Sequence, residues 1–431
     1  MLFYMVTLIG FSFLVPLRFL FCLFPIAILF PTGQLPLNAQ IQSVYPALLV
    51  GFVIAIRKML NSKGSFFFLR DRFQYIFSVF GLFFVVISIA VVNQFNVSSI
   101  VYFFSIILMF YFLPFITLDD REYDLLSKSW RFLILLTAVY SIFEVALQRN
   151  ILLGGFFERG INPINASLWS TYRATSFVGH PLLLCLIMSV SAVFYLSRFI
   201  EKRKYLDFVS FCLALISSLL TVSRYVLPLL FIFISYLLVL RTIKNRAEHG
   251  KIKKSKNFGL TYLATFFIFV AAVPLFQEVL RAFFSRAGSS EGLYSSIVRV
   301  QSLSRALDSD LFSVFGSNTG FILDIFSRGV GAGYGLENSI LQIVGSLGFL
   351  GSGLFFIYIF SLIKTKQKFV LSRATLYIYL FSLPFFNFFD GYRSTHALFV
   401  MIFLLCRGPI YEEDFEARFH EKKMKRVLKA A

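Results

Sequence analysis

Uninterrupted apolar runs, many of them long enough to cross about 30 Å of hydrocarbon, recur along the whole of this chain. No other feature limits the possible folds so severely. Backbone N–H and C=O groups inside a bilayer must be satisfied within the protein, so successive runs of this kind fold as spanning helices. At 58% hydrophobic residues and a mean hydropathy of +0.78, the chain carries more apolar surface than a soluble core can use. The sequence therefore predicts an all-α, polytopic integral membrane protein.

The first run, MLFYMVTLIGFSFLVPLRFLFCLF, has no basic region before it and no small-residue cleavage site after it. That pattern predicts a retained first helix rather than a removed signal peptide. Cys22, Cys185, Cys212 and Cys406 all lie inside apolar runs and form no CxxC, which suggests neither a disulfide framework nor a zinc site.

A formal net charge of +19 could signal nucleic acid, but its distribution argues for a membrane and against nucleic acid as a partner. The basic residues collect between the apolar runs, at 57–72, 121–131, 198–204, 241–256, 364–373 and 407–429. The positive-inside rule places these segments in the cytoplasm. About 12 helices meet that constraint, at 3–30, 41–56, 73–92, 99–118, 131–147, 178–198, 206–223, 225–240, 258–276, 338–363, 372–389 and 394–406. One transmembrane domain, 1–406, then carries two long outside loops, 148–177 and 277–337, and is followed by a basic cytoplasmic tail, 407–431.

The run from 206 to 240 tests this arrangement. Both of its flanks are strongly basic, so an even number of crossings must separate them, and a single helix over it would be about 50 Å long. The reading is a tight hairpin with Arg224, in the stretch TVSRYVLPLL, at its outer turn.

The basic residues left outside are Arg149, Arg159, Arg173, Arg224, Arg281, Arg286, Arg299, Arg305, Arg328 and Arg393, while all seventeen lysines fall inside. Positive-inside bias does not distinguish the two residue types. Arginine offers a planar fork that grips two oxygens of a phosphate and sheds water more readily than an ammonium. The competing explanation is that these arginines pair with Glu144, Glu158, Asp308 or lipid headgroups.

Four outside features carry candidate chemistry. In YRATSFVGHPLLL, Arg173 and His180 lie where a helix begins; His180 is either satisfied by backbone or a hydrogen-bond partner to a hydroxyl or phosphate. Arg224 sits at the depth of a lipid diphosphate, with a salt bridge between helices as the alternative. In SSIVRVQSLSRAL, helical spacing puts Ser295, Arg299 and Ser302 on one face, either an oxyanion cradle or a solvated surface. In GAGYGLENSILQIVGSLGFLGSG, Glu337 and Asn338 stand at a helix start, where an acid also makes a favourable dipole contact. Gly345, Gly348 and Gly351 follow, spaced for close helix packing. No Walker loop, Rossmann fingerprint, HExxH or GxSxG occurs, so no cofactor is expected.

Taken together, these residues resemble the O-antigen ligase and polymerase superfamily of membrane glycosyltransferases. TVSR at 221–224 looks like the family's Ser-Arg motif on a central helix. SSIVRV through FGSNTG at 315–320 resembles the start of its large outside loop and the Gly-rich segment after it, and ENSILQIVGSLGFLG at 337–351 resembles the motif that closes the loop. Glu337 stands where the ligases have histidine, which favours the polymerase branch. Arginine followed eleven positions later by glycine, a polymerase loop pattern, occurs at Arg149/Gly160, Arg281/Gly292 and Arg305/Gly316.

The resemblance implies polymerisation of undecaprenyl-diphosphate-linked repeat units at the periplasmic face of a bacterial inner membrane, as in O-antigen and lipopolysaccharide synthesis. Arg224 and Arg299, then Arg173, Arg286 and Arg305, with Asn338, would bind the diphosphate and substrate without a metal. Glu337 would be the base, with His180 behind it. The partners implied are donor and acceptor lipid-linked glycans, membrane lipid and a chain-length regulator protein. A ligase acting on lipid A-core or another acceptor is the alternative within this class. A lipid-linked oligosaccharide flippase or transporter is the alternative outside it, although that class more often shows repeated halves and short loops.

Overall fold

A computed structural model of the chain describes residues 13–29, 46–61, 116–152, 172–223, 226–248, 338–364, 370–385 and 394–409, with single positions at 10, 81, 297, 304 and 314. Every regular element among the described residues is helical, and three helices are long and apolar enough to cross a membrane. In chain order the main helices are α1 (Leu17–Leu29), α2 (Pro46–Asn61), α3 (Asp120–Leu147), α4 (Pro181–Lys202), α5 (Tyr205–Leu220), α6 (Val226–Glu248), α7 (Ser339–Lys364), α8 (Arg373–Ser382) and α9 (Ser394–Arg407). The predicted helices at 73–92, apart from residue 81, and 258–276, and most of 99–118, lie outside the described residues.

At 22 residues, α4 is about 33 Å long, the thickness of a bilayer core. It begins cleanly because Pro181 occupies the first turn, where a missing N–H costs nothing, and His180 stands before it in an extended conformation. Nearly all of α4 is buried, and it packs against α3, α5, α6, α8 and α9. Other close neighbours are α3 with α1 and α5, α1 with α2, α8 with α6 and α9, and α9 with α1, α2 and α3.

The apolar run at 131–147 proves to be the second part of a longer helix. α3 starts at Asp120 because Asp119 and Glu122 form a capping box: the Glu122 N–H donates to Asp119 Oδ1 at 2.7 Å, and the Asp119 N–H donates to Glu122 Oε2 at 3.0 Å. Glu122 also accepts from Lys58 Nζ at 2.6 Å, which ties α2 to α3. At 28 residues, or about 42 Å, α3 exceeds the hydrocarbon thickness, so its charged first turns need not enter it.

A buried ionic cluster closes the Lys202 end of the α3–α4–α5 group. Asp207, with 0% exposure, accepts from Arg131 Nη2, and Arg198 Nε lies 3.6 Å from the same oxygen. Arg198 Nη1 donates to Ser127 Oγ at 2.9 Å, and the Arg131 and Arg198 guanidiniums lie over the rings of Tyr195 and Phe194. One charged group from each helix thus meets at a single carboxylate.

The 206–240 run is broken, as charge parity requires. α5 ends at Leu220 and α6 begins at Val226, and both pack against α4. Pro228 has no N–H to give to the carbonyl four residues back, so a continuous helix would lose a bond at this point. Arg224 itself lies outside the described residues.

α7 departs from the expectation of glycines spaced for packing. Gly348 adopts φ 72°, ψ 175° inside the helix, a conformation open almost only to glycine, and breaks it there. The Leu350 N–H then donates to the Val314 carbonyl at 3.3 Å, so residue 314 of the long loop reaches the broken turn. Gly348→Ala is expected to destabilise the protein by about 1–3 kcal/mol, seen as a lower thermal midpoint in detergent, whereas Gly353→Ala, with open space at its Cβ inside the helix, should not lower the midpoint.

Candidate functional site

The buried face of α3 carries Thr137, Ser141 and Glu144 at helical spacing, one above another. Ser217 of α5 donates to Ser141 Oγ at 3.0 Å, and Ser189 of α4 lies 3.3 Å from Ser218 Oγ of α5. These hydroxyls join the three helices below Glu144. Hydroxyls serve as glue between helices in lipid, where each would otherwise lose a partner.

Glu144 is 1% exposed, and its carboxylate accepts from four groups of the segment that leads into α4. Tyr172 OH donates at 2.9 Å, Thr175 Oγ1 at 2.6 Å, the Thr175 N–H at 3.0 and 3.1 Å to the two oxygens, and the Ser176 N–H at 2.6 Å. A buried carboxylate costs several kcal/mol unless its lone pairs are taken up, and here neutral donors take them up. The alternative reading, in which Glu144 pairs with an outside arginine, has no such pair among the described residues; hydroxyl and backbone donors take up its oxygens.

The same segment is held on its other side. Arg173, 5% exposed, donates from Nε to the Thr221 carbonyl at 2.9 Å, and the Ala174 N–H donates to the Leu220 carbonyl at 3.1 Å. Those carbonyls belong to the last turn of α5, which has no further helix N–H to accept from. Asn150 adds a third brace: its Nδ2 donates to Thr175 Oγ1 and to the Ser176 carbonyl, both at 2.9 Å, while its Oδ1 accepts from Tyr140 OH at 2.8 Å.

Two residues of this region carry backbone strain. Ser176 has φ 49° and Val222 has φ 50°, and for the β-branched Val222 a positive φ is a genuine outlier. Such conformations persist only where the surroundings over-determine them, and they gather at binding sites and switches. Here the Glu144 nest determines the first, and the capped end of α5 adjoins the second.

His180 closes the group at the head of α4, just before the span begins. Burial, and after it the Arg173 guanidinium, push its imidazole down to about 3, so it is neutral at physiological pH and can donate from one nitrogen and accept at the other.

Of the residues picked out from sequence, Arg173 and His180 are thus brought together, beside the 221–223 break that leads to Arg224. Asn338 has a different place: its Oδ1 accepts from the Leu341 N–H at 3.1 Å, which makes it the cap of α7. Arg224, Arg286, Arg299, Arg305 and Glu337 lie outside the described residues. Sequence reasoning missed Asn150 and Thr175, and gave Thr221 only as the first residue of TVSR; the spacing of Thr137, Ser141 and Glu144 in an apolar run is a further signal of this group. Among the described residues no group of three His, Cys, Asp or Glu side chains is placed to hold a metal ion. No family model, curated protein or solved structure matches the chain.

Proposed function

We propose that the chain is a polytopic glycosyltransferase of the bacterial inner membrane, with about 12 spanning helices, that polymerises undecaprenyl-diphosphate-linked repeat units of O-antigen or a related surface polysaccharide. The observation that carries this reading is the meeting of Arg173 with the end of α5: a guanidinium 5% exposed, fixed to Thr221, three residues before Arg224. Arg173 is thus held against the end of α5, beside a neutral imidazole. The all-arginine outside charge and the TVSR and ENSILQ motifs support the same reading.

The chemistry asks little of the protein. The bond from the anomeric carbon of the growing chain to its diphosphate breaks, and a bond forms from that carbon to a hydroxyl of an incoming carrier-linked unit. The hydroxyl proton passes to a base, and undecaprenyl diphosphate leaves with the bonding electrons. Donors aimed at the departing oxygens lower the barrier, because charge grows there in the transition state. Arg173 and Arg224 take that role first, with Arg299, Arg286 and Arg305 from the long loop. Glu337 is the base, and neutral His180 orients the acceptor hydroxyl or a phosphate oxygen. A chain-length regulator protein is the partner this activity implies.

Cells lacking the native gene and expressing Arg224→Ala, Arg299→Ala or Glu337→Gln, each at wild-type level, test the reading on glycan gels. The expected result is loss of the ladder with a single capped repeat unit retained. Loss of the single unit as well would point to ligation or transport and would overturn polymerisation.

A further inference from the structure

The Glu144 carboxylate holds residues on both sides of Arg173. Its bonds to Tyr172 OH, Thr175 N–H and Ser176 N–H flank that residue in sequence, and no ion pair involving Glu144 occurs among the described residues. From the opposite helix, the Leu220 and Thr221 carbonyls hold Ala174 N–H and Arg173 Nε. The segment 172–176 is therefore clamped between α3 and α5, with Ser176 forced to φ 49°. A clamp that stores strain is hard to explain as packing alone, since a relaxed turn would pack as well without that cost.

The geometry points to Glu144 as a positioning residue that fixes Arg173 for recognition of a lipid diphosphate. This inference rests on the diphosphate-binding reading of the site and adds to it the residue that sets its geometry. Glu144 does not itself approach the substrate: its oxygens are occupied and it is 1% exposed. It acts by removing the freedom of the Arg173 backbone, so that the fork of the guanidinium meets phosphate oxygens without first being ordered. Asn150 works in the same sense from the side, through Thr175 Oγ1 and the Ser176 carbonyl.

The full chain in lipid nanodiscs, titrated with farnesyl diphosphate and with farnesyl alcohol as the phosphate-free control, tests this. Glu144→Leu keeps much of the volume but leaves the Thr175 and Ser176 N–H groups without an acceptor. It is expected to weaken farnesyl diphosphate by about tenfold or more, the value of a hydrogen bond to a charged group. Arg173→Ala should weaken it at least as much, and the double variant should bind no more weakly than Arg173→Ala alone, because both changes remove one interaction. Asn150→Ala, a smaller perturbation of the fold, should give a loss in the same direction, and its combination with Arg173→Ala should again be non-additive.

Wild-type affinity in Glu144→Leu, or losses that multiply in the double variant, would overturn the positioning role while leaving the diphosphate site intact. Equal binding of farnesyl alcohol and farnesyl diphosphate by the wild type would instead remove the diphosphate reading, and the positioning role with it.

Discussion

If the chain is the proposed polymerase, Arg173→Ala is expected to slow glycan polymerisation by about 10²–10³-fold, the usual loss when one positioned donor to a developing oxyanion is removed. The residue is 5% exposed and braced by Thr221, so its charge is held in place before substrate arrives. Arg173→Lys should recover little of the rate, since an ammonium offers a point charge on a flexible stem in place of a planar fork. The measurement is the initial rate of polymer formation by protein purified in nanodiscs. Size-exclusion profiles and thermal midpoints of the variants, compared at equal protein, separate lost chemistry from lost fold.

The second large effect falls at the opposite end of α4. Asp207→Ala should destabilise the protein by about 3–5 kcal/mol, because it leaves the Arg131 and Arg198 charges facing each other in a buried site without the carboxylate between them. Thermal unfolding in detergent reads this directly. Replacing Arg131, Arg198 and Asp207 together with apolar residues of similar volume should recover most of the loss, since desolvation of the three charges no longer has to be offset. If Asp207→Ala melts like the wild type, the cluster does not hold the three helices together.

Much of the fold is legible in the sequence where the signal is hydropathy or charge. The break between α5 and α6 follows from two basic flanks and the length of the run, and Pro228 marks it locally. The start of α4 follows from His180-Pro181. By contrast, the first part of α3 is hidden, because hydropathy responds to its charged residues and not to the Asp119–Glu122 capping box that starts it. Gly348 shows a different limit: glycines three residues apart suit close packing, and spacing does not distinguish that from a left-handed break.

The site was half legible for a comparable reason. Arg173 and His180 stand out as polar residues at a helix start, but the nest around Glu144 is built partly from backbone N–H groups, which every residue but proline has and no motif reveals. Arg131 and Arg198 read as members of the basic segments between apolar runs, and Asp207 as part of the apolar run from 206 to 240. Only the packing of α3, α4 and α5 brings them to one carboxylate.

The central claim is that this chain joins lipid-linked repeat units, with arginines receiving the departing diphosphate. The most direct measurement supplies purified protein in nanodiscs with undecaprenyl-diphosphate-linked repeat units isolated from cells lacking the gene, then follows glycan length and released undecaprenyl diphosphate together. The account predicts lengthened glycans and one undecaprenyl diphosphate released per new bond, with both signals lost in Arg173→Ala. Unchanged glycan length with no carrier released, from folded wild-type protein, would contradict it.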